Sequence, residues 1–438
     1  MSTTWRMHCS LAAYSVLTWA AQSLLRRKLR RRAQAEPGYA EAVPERFGHY
    51  SAQDLGRDGQ GQWVWVHAVS LGETRAAALL IEALRAALPG MRLLLTHGTA
   101  TGRAEGRKLL QAGDVQVWQP WDSRQAVQRF LRHFQPAVGV LMETEIWPNL
   151  VAGCQRAGVP LVLANARLNA KSLSGAMRWP SLLLPAYAGL HAVWAQTEDD
   201  AQRLRSLGAP VQAVLGNLKF DVQADPVLMA QGAAWRAASS KPVVLLASSR
   251  EGEEAQWLEQ WAGRKFHGVA GQCQWLIVPR HPQRFDEVHR LLVNAGLSVA
   301  RRSEWANSLP PTDVQVWLGD SVGEMPVYYA AAHIGLLGGS FEPLGGQNLI
   351  EAAACGCPMV LGPHTFNFAQ AAQSACEAGA AFRVLDMEQG VQLATALARD
   401  TDGLARAQQA ALTFAHSHRG AAQATAQAIA AVVQRSKT

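Results

Sequence analysis

Carboxylates stand at two points of the chain where they could take a proton from a substrate. Glu73 follows the run Gln62–Ala68 (QWVWVHA), whose β-branched and aromatic residues predict a strand. The intervening segment SLGE (70–73) predicts the first turn of a helix. An acidic side chain there either balances the helix dipole or acts as a general base. The local pattern leaves both interpretations open.

A second acidic segment, METEIWPN (142–149), follows the predicted strand Ala137–Met142. Glu143 and Glu145 are two residues apart at the strand end, which favours either loop packing or a role in chemistry. A Glu-x-Glu pair also occurs in metal sites. No partnering His or Asp set accompanies this pair, so we predict neither a metal nor a cofactor.

Positive side chains and glycine-rich loops occupy comparable places later in the chain. Lys219 lies in GNLKFD (216–221), and Arg280 and His281 follow the predicted strand Gln274–Val278. Arginine is suited to binding an anionic ligand. Glycine-rich turns near 319–324, 338–340 and 345–351 each lead into a predicted helix, where backbone N–H groups can bind phosphate. A nucleotide-binding half is therefore expected, with Glu351 as an acceptor for ribose hydroxyls.

The elements that must position these residues form two series. Short apolar runs alternate with helical stretches before and after a polar break at 216–242. Such alternation predicts two doubly wound α/β domains with parallel sheets, facing a cleft. We place them at 33–220 and 221–438, the latter including the C-terminal helices. The chain lacks G-x-G-x-x-G after its first strand, a Walker A lysine and G-x-S-x-G, which disfavours NAD, P-loop and hydrolase sites.

The charge is concentrated at one end. The formal net charge is +7 and the pI is near 9.3, values that suggest nucleic-acid binding at first sight. Residues 1–32 hold seven Lys and Arg and no acid, and the remaining residues carry 34 of each sign. The body of the protein has no basic excess, so nucleic acid is not an expected partner.

The N-terminal segment predicts a membrane anchor. Met7–Leu25 is uncharged and RRKLRRR (26–32) follows it, the reverse of the order in a cleaved signal peptide. The segment either spans the bilayer once or lies in its interface, with the cations on anionic lipid. An ordinary buried helix with a basic tail is the third alternative. We expect membrane lipid to contact residues 7–32, with the two domains facing the cytoplasm at the inner membrane.

Ten short motifs follow one another along the chain: ERFGHY (45–50), WVHAVSLGE (65–73), METEIWPN (142–149), ANARL (164–168), GNLKFD (216–221), PRHPQRF (279–285), GDSVGEM (319–325), LGGSF (337–341), GGQNLIEAAACG (345–356) and GPHTFNF (362–368). In this order they resemble the 3-deoxy-D-manno-octulosonic acid (Kdo) transferases of lipopolysaccharide synthesis. The resemblance implies a GT-B fold of two Rossmann-like domains with an N-terminal membrane-anchoring helix. It also implies inverting, metal-independent transfer of Kdo from CMP-Kdo to a tetraacylated lipid A precursor.

Site residues follow from the same resemblance, position by position. Glu73 matches the family's general base, and Glu143 and Lys219 match residues that stabilise the transition state. The positions that match CMP contacts are Arg280, His281, Val322, Gly323, Glu324, Asn348, Leu349, Ile350 and Glu351.

Two segments depart from the family pattern. GGQNL (345–349) stands where the family has GGHNP, so that Gln347 replaces a His, and SSR (248–250) stands where the family has Ser-Thr-His before Glu-Gly-Glu-Glu. The first change removes a titratable group beside the nucleotide loop. Two other hypotheses remain open: a GT-B transferase or epimerase acting on a UDP-sugar, and a silent membrane-associated binding protein. A screen of CMP-Kdo against UDP-sugars separates the first hypothesis from a Kdo transferase. Nucleotide binding without turnover would favour the second.

Overall fold

The computed structural model describes residues 3–51, 62–262, 271–305 and 308–435. These residues form two compact units. The first comprises Met1–Asp221 together with Arg419–Thr438, and the second comprises Val222–His418. Residues 1 and 2 of the predicted anchor lie outside the described residues.

The first unit is built on a parallel seven-stranded sheet with the order β3-β2-β1-β4-β5-β6-β7. Its strands are β1 Trp63–His67, β2 Arg92–His97, β3 Val115–Trp118, β4 Val138–Met142, β5 Leu161–Ala166, β6 Ala192–Ala195 and β7 Val211–Val214. Its helices up to β7 are α1 Thr3–Ala20, α2 Gln22–Ala35, α3 Leu71–Ala87, α4 Ala100–Gly106, α5 Arg124–Phe134, α6 Pro148–Ala157, α7 Ala170–Ala176, α8 Pro180–Ala188 and α9 Glu198–Ser206.

Strand β1 shows why this sheet is buried on both faces. Trp63 and Trp65 belong to a hydrophobic cluster on one face, with Phe130 of α5. Val64 and Val66 belong to the cluster on the other face. Successive residues of a strand point to opposite faces, so a continuous apolar run can serve two layers of helices at once. The predicted doubly wound α/β architecture is confirmed.

The second unit repeats the plan with the order β10-β11-β9-β8-β12-β13-β14, again all parallel. Its strands are β8 Val243–Ser249, β9 Gln274–Pro279, β10 Val299–Arg301, β11 Val316–Leu318, β12 Ile334–Leu337, β13 Met359–Leu361 and β14 Ala381–Arg383. Its helices are α10 Pro226–Ala238, α11 Glu253–Ala262, α12 Phe285–Asn294, α13 Arg302–Trp305, α14 Met325–Ala331, α15 Leu349–Ala354, α16 Ala369–Glu377, α17 Met387–Leu397 and α18 Thr401–Ser417.

The last helix, α19 (Ala421–Arg435), corrects the predicted domain boundaries. The sequence predicts all C-terminal helices in the second domain, but α19 belongs to the first unit. Its Ile429 and Val433 are buried in the same cluster as Leu80 of α3. The Asp221 carboxylate also accepts hydrogen bonds from the N–H groups of Gly420 and Ala422. The helix is held by its apolar face and by the N-terminal cap from Asp221. This residue precedes the second unit in the chain, and α19 follows it.

The N-terminal segment forms two helices, α1 and α2, which meet at Ala21. In the described part of the chain, no helix combines the length and apolarity needed to span a bilayer, so the spanning alternative is not supported. Two polar residues of α1, Ser15 and Thr18, contact the rest of the first unit. Ser15 Oγ donates to Asn149 Oδ1 at 2.6 Å, and the backbone oxygen of Thr18 accepts from Trp121 Nε1 at 3.0 Å. These contacts attach α1 to the first unit.

Candidate active site and nucleotide loops

In the first sheet, β1 and β4 are neighbours whose connections run to opposite sides. The chain goes from β1 to β2 on one side and from β4 to β5 on the other. Such a switch point opens a crevice at the carboxyl ends of the two strands, where ligands bind in this class of fold. Glu73 follows β1 and Glu143 follows β4, so topology places both predicted carboxylates at this crevice.

Glu73 lies in the first turn of α3 and takes part in a capping arrangement. Ser70 is the N-cap residue, and its Oγ accepts from the Glu73 N–H at 3.4 Å. In return, the Glu73 carboxylate accepts from the Val69 N–H and from the Ser70 hydroxyl, both at 2.9 Å. The helix-capping interpretation of Glu73 is therefore realised. A carboxylate offers about four lone-pair sites, so these two bonds leave acceptor capacity for a substrate hydroxyl.

The environment of Glu73 raises its pKa to about 7. Burial of the carboxylate is the main cause, and the negative charges of Glu143 and Glu145 add to it. The hydrogen bonds from Val69 and Ser70 oppose the rise because they stabilise the ionised form. A general base works best when its pKa lies near the working pH. Glu73 therefore has the electrostatics of a base at neutral pH.

Glu143 adopts a backbone conformation that is rare for a residue with a side chain. Its φ is +57°, in the left-handed region. Such conformations cost about 1–3 kcal/mol and concentrate at functional sites. Its Oε1 lies 3.6 Å from the Nζ of Lys219, so the two residues predicted to act together form an ion pair. Glu145 instead accepts a hydrogen bond from Trp147 Nε1 at 2.9 Å.

Asn165 positions the turn that carries Lys219, a role that the sequence did not reveal. It is buried, with a φ of +52°, and its Oδ1 accepts from the Leu218 N–H at 3.1 Å. Leu218 begins the short 3₁₀ turn Leu218–Asp221. The motif ANARL contained Asn165, but its function depends on a contact with a residue 53 positions away.

In the second sheet, the equivalent switch point lies between β8 and β12. The chain leaves β8 toward β9 on one side, and leaves β12 toward β13 on the other. Glu253 connects the two loops. Its carboxylate accepts from the N–H groups of Arg250 and Gly339, both at 2.8 Å, and of Phe341 at 3.1 Å. This side chain fixes the backbone of both loops, a role that no motif of the sequence predicts.

Glycine is required in the loop after β12. A Cβ on Gly338 would lie 2.2 Å from the Ser248 carbonyl oxygen, and Gly339 has a φ of +70°. Gly346 donates to the Gly339 carbonyl at 2.7 Å, which joins the two glycine-rich segments. The backbone here approaches its neighbours too closely for any other residue. The glycines that predicted phosphate loops also have this structural requirement.

Arg280 and His281 follow β9, next to β8 in the sheet. Arg280 Nε donates to Gln347 Oε1 at 3.1 Å. Gln347, which replaces the family's His, therefore contacts a residue that is predicted to bind CMP. The pKa of His281 is lowered by burial and by the positive charges of Arg250 and Arg280. Positive charge therefore accumulates beside the glycine-rich loops.

The predicted CMP contacts in 322–324 differ in their surroundings. Val322 is 77% exposed and Gly323 has a φ of +89°. Glu324 forms a bidentate ion pair with Arg302, at 2.8 and 3.0 Å. The carboxylate of Glu324 is thus committed to holding α14 against α13, and any nucleotide contact must come from the remaining lone pairs or the backbone.

The last predicted group, Asn348 to Glu351, lies at the start of α15. Asn348 is the N-cap, and its Oδ1 accepts from the Ile350 N–H at 3.1 Å. Leu349 and Ile350 are buried. The charges of Glu351 and Arg280 act in opposite directions on the pKa of the buried Tyr329, which indicates that both lie near that phenol. The structure thus brings Arg280, Gln347 and Glu351 to one part of the second unit.

Comparison with known proteins identifies the family. The sequence model described as 3-Deoxy-D-manno-octulosonic-acid transferase (kdotransferase) matches residues 41–222. The 3-deoxy-D-manno-octulosonic acid transferase of Bordetella pertussis is 45% identical over 406 residues, which cover 91% of this chain and 94% of that protein. The chain belongs to the Kdo transferase family. It is therefore a glycosyltransferase, as the ten motifs predicted.

Solved structures agree on the fold of this Kdo transferase. A glycosyltransferase from Rickettsia africae aligns with a TM-score of 0.55 at 12% identity, covering 86% of this chain and all of that one. The UDP-GlcNAc 2-epimerase of Neisseria meningitidis aligns with a TM-score of 0.53 at 15% identity, covering 85% of this chain and all of that one. At such identities the likeness is one of architecture only, because one fold supports several reactions.

Proposed function

We propose that this protein transfers Kdo from CMP-Kdo to a hydroxyl of a tetraacylated lipid A precursor, with inversion at the anomeric carbon. The observation that carries the proposal is Glu73: a carboxylate at the switch point of the first sheet, with a pKa of about 7, in a chain of the Kdo transferase family. Related proteins are named for the same sugar.

In this proposal Glu73 removes the proton from the acceptor hydroxyl as its oxygen attacks the anomeric carbon of Kdo. The bond from that carbon to the CMP phosphate breaks, and the electron pair leaves with CMP. A single displacement gives the inverted product. Two hydrogen bonds hold the Glu73 carboxylate in one orientation, so little reorganisation is needed when the proton moves.

The Lys219–Glu143 pair is proposed to stabilise the transition state. The donor carries a carboxylate and a phosphodiester, and negative charge builds up on the phosphate as the bond breaks. A lysine held 3.6 Å from Glu143 is a positive charge in a defined place. Glu143 also keeps the pKa of Glu73 high, so the pair contributes to base strength as well.

The nucleotide is proposed to bind the second unit at Arg280, His281, residues 322–324 and residues 348–351. Arg280 suits the phosphate, and Glu351 suits the ribose hydroxyls. Backbone N–H groups of the glycine-rich loops add donors that Glu253 keeps in position. None of these steps calls on a metal or cofactor.

We also propose that α1 and α2 lie in the membrane interface at the cytoplasmic face of the inner membrane. Large apolar side chains on these helices are exposed: Trp5, Val16, Leu17, Trp19 and Leu24. Six Lys and Arg follow on α2. Exposed apolar and basic residues on adjoining helices suit the boundary between acyl chains and anionic head groups.

The decisive experiment incubates the purified chain with CMP-Kdo and the lipid A precursor and resolves the products by mass. We expect the acceptor to gain one or more Kdo residues, with release of CMP. NMR of the product should show inverted anomeric configuration. Turnover of a UDP-sugar but not of CMP-Kdo would favour the alternative donor, and CMP-Kdo binding without product would favour a silent binding protein.

Membrane attachment has its own measurement, vesicle co-sedimentation. Replacing Val16, Leu17 and Trp19 together by Ser should weaken binding to anionic phospholipid vesicles. Val227→Ser is the matched control, because Val227 is 74% exposed on the second unit. Equal vesicle binding by both variants would argue against the interface proposal.

A further inference from the structure

A buried histidine, His97, lies behind the backbone that holds the proposed base, and the proposed mechanism does not use it. His97 is the last residue of β2, the strand beside β1, and its side chain is 0% exposed. Its Nδ1 lies 2.8 Å from the carbonyl oxygen of Ala68, the residue that follows β1. The ring therefore contacts the loop that leads to Glu73.

The contacts of the His97 ring determine which nitrogen carries its proton. A carbonyl oxygen only accepts hydrogen bonds, so Nδ1 carries a hydrogen and donates it to Ala68. On the other side of the ring, Nε2 is buried and has no hydrogen-bond partner among the described residues. A Cβ on Gly106 would lie 2.3 Å from Nε2, so the backbone of α4 closes this side. His97 is thus neutral, with its single N–H directed at the Ala68 carbonyl.

The peptide that accepts from His97 also carries the N–H that binds Glu73. The carbonyl of Ala68 and the N–H of Val69 belong to one planar trans unit and point in opposite directions. His97 donates to one end of this unit, and the other end donates to Glu73 Oε2 at 2.9 Å. A path of two hydrogen bonds therefore runs from a buried imidazole to the carboxylate of the proposed base.

Two hydrogen bonds in series through a peptide strengthen each other. Donation to the Ala68 carbonyl draws electron density from the Val69 nitrogen, which makes its N–H a better donor to a carboxylate. The hydrogen bond from Val69 stabilises the ionised form of Glu73, and it is the largest of the effects that oppose the rise in the pKa of this carboxyl. His97 therefore favours ionised Glu73 through the backbone.

The next peptide of the same loop is held by the residues that follow His97. The carbonyl of Val69 accepts from the N–H of Thr99 at 3.0 Å, from the Thr99 hydroxyl at 2.9 Å and from the N–H of Gly98 at 3.2 Å. The loop after β2 thus binds two consecutive carbonyls of the loop after β1. Thr99 fixes the position of that loop, whereas His97 bonds to the unit whose N–H reaches Glu73.

Burial keeps His97 neutral over the pH range in which Glu73 titrates. It lowers the pKa of the ring to about 4, with the positive charge of Arg103 on α4 acting in the same direction and the hydrogen bond to Ala68 opposing it. Since the pKa of Glu73 is about 7, the donor to Ala68 is unchanged while Glu73 gains or loses its proton. The other titratable or charged groups near the two ends of the path are His67, Arg46, Glu143, Glu145 and Lys219.

We propose that His97 is a positioning residue for transfer: its Nδ1–H, acting through the Ala68–Val69 peptide, orients the carboxylate of Glu73 and favours its ionised form. The inference rests on the proposed function, because it assigns a partner to the proposed base. Loss of His97 should change the pH at which the base becomes active. It should leave the affinity for CMP-Kdo unchanged, because the nucleotide is proposed to bind the second unit.

Three variants test this role through the pH dependence of kcat/KM for transfer. His97→Leu removes the donor, so the pKa of Glu73 should rise and the acidic limb should move up by about half to one pH unit. His97→Asn places an amide N–H near the position of the Nδ1–H and should restore the limb of the unmodified chain. His333→Leu, the control, removes a half-buried histidine that bonds to the backbone at the start of β8. It should lower the melting temperature without moving the limb.

The rescue separates the hydrogen bond from the packing of the ring. A limb that stays in place in His97→Leu would overturn the inference. So would a limb that moves equally in His97→Leu and His97→Asn, because the second variant keeps the donor. Melting temperature and calorimetric CMP binding show that each variant is folded.

NMR measures the same properties without turnover. With carbon-13-labelled glutamate, the Glu73 signal is identified by its absence from Glu73→Gln, and its titration should move to higher pH in His97→Leu. In the unmodified chain, nitrogen-15 spectra of the histidine side chains should show the His97 proton on Nδ1 at neutral pH. This measurement needs no folded His97→Leu. A proton on Nε2 instead would contradict the inference, because Nδ1 could then not donate to Ala68.

The outcome is separable from that of the proposed function. If the unmodified chain transfers Kdo and the titration of Glu73 is the same in His97→Leu, only the inference fails. If the NMR titration of Glu73 moves as expected but the unmodified chain does not use CMP-Kdo, the proposed function fails, and the path from His97 to Glu73 stands.

Discussion

Each unit carries a glutamate after the first strand of its sheet, at the start of the following helix, and the two glutamates have different hydrogen-bond partners and exposure. Glu73 follows β1 and is half-buried, with one backbone N–H and one hydroxyl bonded to its carboxylate. Glu253 follows β8, is 0% exposed and accepts three backbone N–H groups. Burial raises the pKa of both.

The comparison teaches that topology alone does not make a carboxylate catalytic. Both side chains stand at a switch point and both have a perturbed pKa, a combination that is often taken to mark active sites. The two carboxylates differ in their exposure and in the number of lone pairs that remain to accept a hydrogen bond from a substrate. Glu253 is enclosed and occupied by the backbone, so it holds loops; Glu73 is accessible and only partly occupied, so it can take a proton.

The comparison is tested most strongly by Glu73→Gln. The amide cannot accept a proton, so we expect kcat to fall by about 10²–10⁴-fold, with donor affinity and melting temperature nearly unchanged. Steady-state kinetics and calorimetric CMP-Kdo binding measure the two effects. Glu82→Gln, an exposed change on the same helix, is the control. Turnover near that of the unmodified chain would remove Glu73 from its proposed role.

The opposite response is expected of Glu253→Gln. The amide keeps one oxygen acceptor but presents an NH₂ group to backbone N–H donors, which should lower the free energy of unfolding by about 1–3 kcal/mol. Donor affinity should fall with it, because the loops from Arg250 and Gly339 lose their shared support. Denaturant unfolding and CMP binding measure this, with exposed Glu259→Gln as control. If the variant were as stable as the unmodified chain but had its kcat lowered a hundredfold at saturating donor, Glu253 would be catalytic. The proposed distinction between Glu73 and Glu253 would then be wrong.

The smallest expected effect is a shift in the pKa of Glu73. Its folded pKa of about 7 lies above the ordinary value, so activity should rise with pH through about 7 as the base ionises. Ser70→Ala removes a hydrogen bond that stabilises the carboxylate, so the pKa should rise further. The acidic limb of kcat/KM should move up by about half to one pH unit. A limb that stays in place or moves down would show that Ser70 does not tune the base.

The fold was predictable wherever a strand has neighbours on both sides. Apolar runs predict the central strands β1, β4 and β9, but none predicts β7, β10 or β14. Each of these lies at an edge of its sheet. An edge strand is paired on one side only and is less buried, as the alternating exposure of Val211–Val214 shows. Without full burial there is no continuous apolar run, and that run is the signal for a parallel strand.

The site was predictable as a set of residues but not as an arrangement. The ten motifs predict Glu73, Glu143 and Lys219 as site residues, because each lies in a short segment that resembles the family pattern. The Lys219–Glu143 ion pair joins residues far apart in the chain. The contact from Asn165 to the Leu218 turn and that from Arg280 to Gln347 are of the same kind. Nothing in one segment indicates its partner in another.

The sequence by itself determined the strand and helix alternation, the family and the position of the basic segment. Those properties depend on local composition and order, which the chain carries before it folds. Only the tertiary structure decided that α19 returns to the first unit, that His97 lies behind the peptide that binds Glu73, and that Glu73 has a pKa of about 7. Burial and charge at a site are sums over neighbours brought together by folding, so they have no counterpart in any single stretch of sequence.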